Sequence, residues 1–311
     1  MDSAGVARDG AKSVPRVMTS SSMTNAMTVD VEDYFQVSAF EDTISRQQWD
    51  DVPCRVENNV DRILDLFSRY DVKGTFFTLG WIAERYPALI HKIVEQGHEL
   101  ASHGWDHTRV FHQDRAQFRE DVRKTKHLLE DISGACVKGY RAASYSINQT
   151  NLWALDELAD AGYQYSSSIV PVKHDLYGMP GASRFPFRTA EKGFLEIPIS
   201  TIPIAGHNVN CGGGGWFRLF PYAFSRWAIS SINEKESKAC IFYFHPWEID
   251  HDQPRVNGIT KKTRFRHYLN LRKTYDRLER LLNDFQWSRM DSIFLNSDVN
   301  ERSTREVVPC L

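Results

Sequence analysis

The chain has 311 residues, 41% of them hydrophobic and 25% charged, with a formal net charge of -2. That length suits one large α/β barrel or two ordinary domains, each with a core to bury, and the near-neutral charge excludes the basic footprint of a nucleic-acid binder. Cys54, Cys136, Cys211, Cys240 and Cys310 are scattered without a C-x-x-C pair, which argues against a zinc ribbon or a disulfide framework, and no apolar run reaches the ~20 residues of a membrane-spanning helix.

Residues 1–25 are rich in Ser, Ala, Gly and Thr and have no apolar h-region, so they read as a disordered tail rather than a secretory signal. Met23 is the expected start of translation, and a cytoplasmic location is expected with it. Residues 26–31 are a short β-branched run. Val56, Val60, Ile63, Leu64 and Phe67 then recur at helical spacing. Residues 74–79 (GTFFTL) read as a strand. Pro87 opens a helix with Leu89, Ile90, Ile93 and Val94 on its apolar face, and Gly97 ends it. A strand at 99–103 precedes a longer helix through Phe118, Val122, Thr125, Leu129 and Ile132, stopped by Gly134. The alternation continues with a strand at 137–142, a helix at 151–161, strands at 163–170 and 194–199, and a helix through Phe224, Trp227 and Ile232. Residues 239–245 (ACIFYFH) form a continuous apolar run, the mark of a buried strand. A polar helix at 264–283 closes the domain, and residues 289–311 read as a flexible tail.

The seven strands, near residues 28, 76, 101, 139, 167, 197 and 242, alternate with helices and imply a parallel sheet. The expected fold is α/β, a distorted (β/α)7-type barrel, with an open doubly wound sheet as the alternative. In either case chemistry belongs at the C-terminal ends of the strands.

Polar residues gather at those ends. The run Thr28-Val-Asp-Val-Glu-Asp-Tyr-Phe35 places Asp30, Glu32 and Asp33 where the first strand emerges. Three acids there are costly unless they are paired or bind a cation; a solvated, helix-capping turn is the alternative. In Ser102-His-Gly-Trp-Asp-His-Thr108, His103 and His107 can meet one cation if the loop curls, or stand as two surface histidines. His245, in Phe242-Tyr-Phe-His-Pro-Trp-Glu248, is a general-acid candidate because the other clusters exist. Arg141, in Gly139-Tyr-Arg-Ala-Ala-Ser-Tyr145, can pair with an acid on another strand and hold it ionised.

An acid, two histidines, an arginine and a histidine thus stand at the ends of strands one, three, four and seven. In this the sequence resembles the polysaccharide deacetylases, the NodB-type carbohydrate esterases of family 4, and within them a subgroup from bacterial exosortase and exopolysaccharide loci with a DVEDYF first motif. The resemblance runs from about Met23 to Phe285, carried by DVEDYFQVSAF, SHGWDH and FYFHPWEID. It implies a deacetylase barrel over residues 26–288 with a subgroup-specific part from about 165. It also implies Asp30 as catalytic base, Arg141 as the residue that orients it, His245 as general acid, and His103 and His107 as metal ligands. The third ligand is then Asp33 or Glu32, with Asp33 favoured, because Val31 replaces the family's adjacent Asp. Two further departures are Ala143 for a proline and Ser166 for the Asp that tunes the general acid; by this reading His245 lacks an acidic partner.

What the resemblance implies chemically is hydrolysis of an N-acetyl group by a divalent cation, Zn²⁺ first and Co²⁺, Ni²⁺ or Mn²⁺ as alternatives. A backbone N–H near Ser144 or Tyr145 would stabilise the oxyanion. Tyr145, Trp105, Trp216 and Trp247 are the candidate substrate contacts, with Trp216 on a flexible lid or turn formed by Cys211-Gly-Gly-Gly-Gly-Trp-Phe217. The substrate is an N-acetylated polysaccharide or its precursor in exopolysaccharide biosynthesis. Association with membrane-bound machinery at the inner membrane face goes with it. A non-catalytic carbohydrate-binding relative and a cyclic imide or amide hydrolase are the competing readings.

Overall fold

The computed structural model describes residues 23–174 and 177–295. Among the described residues there are eleven strands: β1 Thr24–Val31, β2 Thr75–Thr78, β3 Glu99–Ser102, β4 Gly139–Tyr140, β5 Tyr165–Ser166, β6 Phe187–Arg188, β7 Leu195–Glu196, β8 Thr201–Ile204, β9 His207–Asn210, β10 Ile241–Phe244 and β11 Gln286–Ser288. The parallel order β10-β1-β2-β3-β4-β5-β7 uses the seven expected strands, with β6 antiparallel on the β7 edge and β11 parallel to the start of β1. The sheet curls into a half-barrel.

Strand alternation sets what the curl encloses. Phe77, Ile241 and Tyr243 face a common interior with Ala26, Ala101, Tyr165 and Leu195. Phe76, Phe242 and Phe244 face outward onto a second core of helical side chains. Most of these come from α1 (Val56–Arg69), α2 (Gly80–Arg85), α3 (Pro87–Glu95) and the later helices α6 (Gly214–Leu219), α7 (Tyr222–Lys235) and α9 (Leu271–Asp284). Between them in the chain lie α4 (Arg115–Ser133), which Asp114 caps by accepting from Ala116 and Gln117, and α5 (Trp153–Asp160).

No strand pairing joins β7 to β10 among the described residues; backbone contacts span the gap. Ile241 N–H donates to Ser200 Oγ at 2.8 Å, Cys211 N–H to Ser200 O at 3.1 Å, and Tyr243 N–H to Gly212 O at 2.7 Å. Gly213 is required there. Its φ is 122°, and a Cβ on it would lie 1.9 Å from Tyr243 O. The glycine run is therefore not a flexible lid: it lets the backbone approach β10 and starts α6.

Two expectations change. The single helix expected over 264–283 is α8 (Lys261–Tyr268) and α9, parted at Asn270, whose φ of 54° breaks the helical path. The tail expected from 289 begins instead with α10 (Met290–Phe294), where Met290 is buried beneath β1 and β2 and its N–H donates to Thr75 Oγ1 at 2.8 Å. The expected N-terminal tail to residue 22 and the rest of the C-terminal one lie outside the described residues, whereas Thr24 and Asn25 already belong to β1.

Candidate active site

The C-terminal strand ends converge on one buried centre. Asp30 is in β1, Glu32 just beyond it, and His103, Arg141 and His245 are the first residues after β3, β4 and β10. Thr28 and Asp30 share the interior face, and Arg141 crosses the bore to reach both. Its Nη1 donates to Asp30 Oδ1 at 2.6 Å and to Thr28 Oγ1 at 2.7 Å. Its remaining donors go to Ser167, Nε to the carbonyl and Nη2 to Oγ, each at 3.1 Å. Arg141 is fully buried over the ring of Phe77, 4.0 Å from the centroid, and this geometry holds one Asp30 oxygen fixed while the other faces Tyr145 Oη (3.5 Å) and His245 Nε2 (3.9 Å).

Glu32, His103 and His107 can bring one ligand atom each to within 4.8 Å of one another, and all three are buried. His107 Nε2 lies 2.8 Å from Glu32 Oε2, an oxygen with no other hydrogen-bond partner among the described residues. Both imidazoles are held by the other nitrogen: His103 Nδ1 donates to Arg141 O at 2.8 Å, and His107 Nδ1 is 3.4 Å from Ser38 Oγ. That pattern orients Nε2 toward a shared point, as in metal centres whose histidines are steered from behind. Burial, with a smaller push from His107, lowers His103 to about 4 against Asp30 and Glu32, so its ring is neutral and ligand-competent at neutral pH. Burial alone would raise Glu32, but His107, His245 and His103 reverse it and leave the carboxyl well below the usual range. A buried carboxylate oxygen that faces the Nε2 of one of two steered imidazoles fits a divalent cation.

Asp33, the ligand favoured from sequence, is turned the other way. Its Oδ2 accepts from the N–H groups of Arg55 and of Val56 (2.8 Å) and from Cys54 Sγ (3.0 Å), and its Oδ1 from Tyr34 N–H (2.7 Å). It thus caps the N-terminal end of α1, whose first N–H groups have no intrahelical acceptor, and it is not part of the Glu32–His103–His107 cluster. Of the two alternatives, Glu32 is the one in the cluster.

The missing partner of His245 is also present, from a different position. Ser166 bonds Ser168 Oγ at 2.7 Å rather than His245. Glu248 Oε1 accepts from His245 Nδ1 at 2.6 Å and from His245 N–H at 3.1 Å, and Glu248 Oε2 accepts from Arg218 Nε at 2.5 Å. Burial pulls the His245 imidazole down, but Glu248, Glu32 and Asp30 overcome it and raise the group to about 9. Burial raises Glu248, and Arg218 and His245 then take it to about 2. His245 is therefore charged at neutral pH, Nδ1 fixed and Nε2 facing Asp30 and Glu32. The sequence held the signal, an acid three residues after the histidine. Arg218, one basic residue within α6, carried none.

The expected aromatic contacts divide. Tyr145 is in the centre, against Asp30. Trp247 is 5% exposed, stacks on His245 (5.1 Å, 18°) and His267 (4.3 Å, 12°), and donates from Nε1 to Glu32 Oε1 at 3.2 Å; it supports the centre and offers no open face to a sugar. Trp105 packs on Gly80, under Lys124 Nζ at 3.2 Å, which places it between α2 and α4. Trp216 is half-buried, stacked on Phe220 and donating to Tyr177 Oη at 3.2 Å, so its ring is anchored rather than carried on a lid. The Tyr145 amide donates to Ala142 O at 3.0 Å and is committed there, which removes it as an oxyanion donor.

Residues 42–166 match the family model described as polysaccharide deacetylase, and residues 167–295 match a domain of unknown function, DUF3473. A peptidoglycan-N-acetylglucosamine deacetylase of Bacillus cereus is 30% identical over 97 residues, 31% of this chain and 35% of that protein. A peptidoglycan deacetylase of Helicobacter pylori is 29% identical over 115 residues, 37% of this chain and 38% of that one. The chain therefore spans little more than a third of these relatives. A solved protein of Mycobacterium smegmatis, described as a candidate polysaccharide deacetylase, superposes with a TM-score of 0.62 at 18% identity, covering 96% of this chain and 98% of that one, which establishes a shared fold.

Proposed function

We propose, for a chain whose residues 42–166 match the polysaccharide deacetylase family model, that it is a metal-dependent hydrolase removing N-acetyl groups from an amino-sugar polysaccharide or its precursor. The observation that carries this reading is the buried Glu32–His103–His107 cluster beside an Asp30 fixed by Arg141. A divalent cation bound there, Zn²⁺ first by its donor set, supplies Lewis acidity to a water and to the acetyl carbonyl.

The chain's own residues do the rest. Asp30 takes the proton of the attacking water through Oδ2, the oxygen that Arg141 leaves open. Arg141 and Thr28 keep that carboxylate from rotating. His245 donates from Nε2 to the departing amine nitrogen, while Glu248 accepts from Nδ1 and keeps the ring charged and in place. Acetate and a free amino sugar leave. The DVEDYF motif that directs the reading to exopolysaccharide synthesis supports a glycan made by the cell as substrate. Acetate release from N-acetylated chito-oligosaccharides tests the reading: release by the Zn²⁺-loaded wild type, and none by Asp30→Asn with Zn²⁺ still bound, supports it. An Asp30→Asn enzyme that keeps most of its activity removes Asp30 as the base.

A further inference from the structure

Residues 253–275 hold seven Lys and Arg and no Asp or Glu, in a chain whose formal net charge is -2. All seven are exposed, and four of them, Lys261, Lys262, Arg264 and Arg266, lie in α8. At the middle of that helix stands Phe265, 58% exposed, more than any other large hydrophobic side chain among the described residues. The helix is firmly seated. The buried His267 ring stacks on Trp247 at 4.3 Å and 12°, and its Nε2 donates to Gln253 Oε1 at 2.6 Å. Tyr268 Oη accepts from Val256 N–H at 2.9 Å and donates to Pro254 O at 3.1 Å, and Thr260 Oγ1 caps the other end by accepting from Thr263 N–H at 3.1 Å.

Helix geometry decides where these side chains point. At about 100° per residue, Phe265 is turned about 200° from His267, so it points away from the core that holds His267. Lys261 and Lys262, four and three residues earlier, share its side of the helix, and Arg264 and Arg266 flank it. A single exposed apolar ring is ordinary, and a basic run alone is a solvated face. Here the two coincide on one fixed face. Cations around a benzyl ring match the interface of an anionic bilayer, where headgroups attract the charges and the ring enters the apolar boundary. A soluble polyanion would use the cations and leave the ring in water. Because the whole chain is slightly acidic, the attraction is confined to this face and orients the bound molecule.

We propose that α8 docks the protein on an anionic bilayer, with Phe265 inserted at the headgroup level and the cations of residues 253–275 against the surrounding headgroups. The same helix reaches the buried centre through two stacked pairs, His267 on Trp247 and Trp247 on His245. Docking therefore holds the centre near the membrane and favours a membrane-attached glycan over one free in solution. That consequence rests on the deacetylase reading above; the docking does not, and its test reads lipid binding rather than turnover. The full chain is floated with vesicles of phosphatidylcholine alone and of phosphatidylcholine mixed equally with phosphatidylglycerol. The wild type is compared with Phe265→Ser and with the double variant Lys261→Glu, Lys262→Glu. All three positions are exposed, and glutamates suit the first turn of a helix, so cooperative melting is retained. Wild-type binding to the mixed vesicles alone, weakened at least about tenfold by the lysine reversal and about fivefold by Phe265→Ser, supports the docking. No binding to the mixed vesicles, equal binding to both kinds, or unchanged affinity in both variants overturns it. Loss on lysine reversal with Phe265→Ser unaffected assigns the basic face to a soluble polyanion and overturns the bilayer.

Discussion

At the scale of single residues, the centre turns on which neighbour faces inward. Asp30, His103, Arg141 and His245 were legible because each follows or ends a strand, and the pleat decides where such a residue points. Glu32 and Asp33 were not separable, because they lie past the strand, where a turn decides. Glu32 N–H folds back to Asp30 O at 3.0 Å, and that turn sends Glu32 to the histidines and Asp33 to α1. The two variants should therefore differ in kind. Glu32→Gln should lose its Zn²⁺ by mass spectrometry while melting cooperatively; Asp33→Asn should retain Zn²⁺ and lose about 1–2 kcal/mol of stability in a urea titration, the cost of a weakened helix cap. Metal lost from Asp33→Asn and kept in Glu32→Gln would reverse the assignment. Glu248→Gln removes the charge that fixes His245. It should lower kcat at least about tenfold with little change in KM, as expected when the group that orients a catalytic imidazole is altered; an unaltered kcat would show that Glu248 only packs.

At the scale of elements, the long periodic segments were readable and the short ones were not. Most of the seven parallel strands were readable because a helix of clear 3.6-residue period precedes or follows them, although none lies between β5 and β7. The pair β8–β9, the three residues of β11 and the five of α10 are too short to express a period, and their places depend on partners distant in sequence. For α10 that partner is β3. Glu99 accepts from Thr75 Oγ1 (2.6 Å), Tyr165 Oη (3.0 Å) and Asp291 N–H (3.0 Å) beneath the barrel. Burial, and then the nearby Asp291, raise its carboxyl from 4.5 to about 7. A carboxyl raised on folding favours the native state while it is protonated, so its contribution is full below about 4.5 and fades as the pH rises through about 7. The melting temperature should accordingly fall over that interval, and Glu99→Gln should flatten the fall even though it lowers stability overall; an unchanged slope would remove Glu99 as the source. The glycine run was misread for a related reason: glycines needed for close backbone approach and glycines in a mobile turn look alike in sequence. Gly213→Ala should be strongly destabilising, since its Cβ would meet the Tyr243 carbonyl, whereas a soluble variant of wild-type stability would mean that the junction with β10 can open.

At the scale of the whole molecule, the half-barrel gathers seven strand ends around a single buried centre and shuts the opposite end with α10. The proposed constellation draws on both matched regions and on β1 before them, which carries Asp30 and leads into Glu32. His103, His107 and Arg141 lie in residues 42–166, whereas His245, Glu248 and Arg218 lie in 167–295. On the proposed reading the second region thus supplies the proton donor, together with the acid that stands in for the expected partner at Ser166. Acetate release from N-acetylated chito-oligosaccharides, measured on one preparation before and after chelation and again after Zn²⁺ is restored, tests the account most directly. Release that stops on chelation and returns with Zn²⁺ is the expected result; release that is indifferent to chelation, or absent from the Zn²⁺-loaded chain, would contradict it.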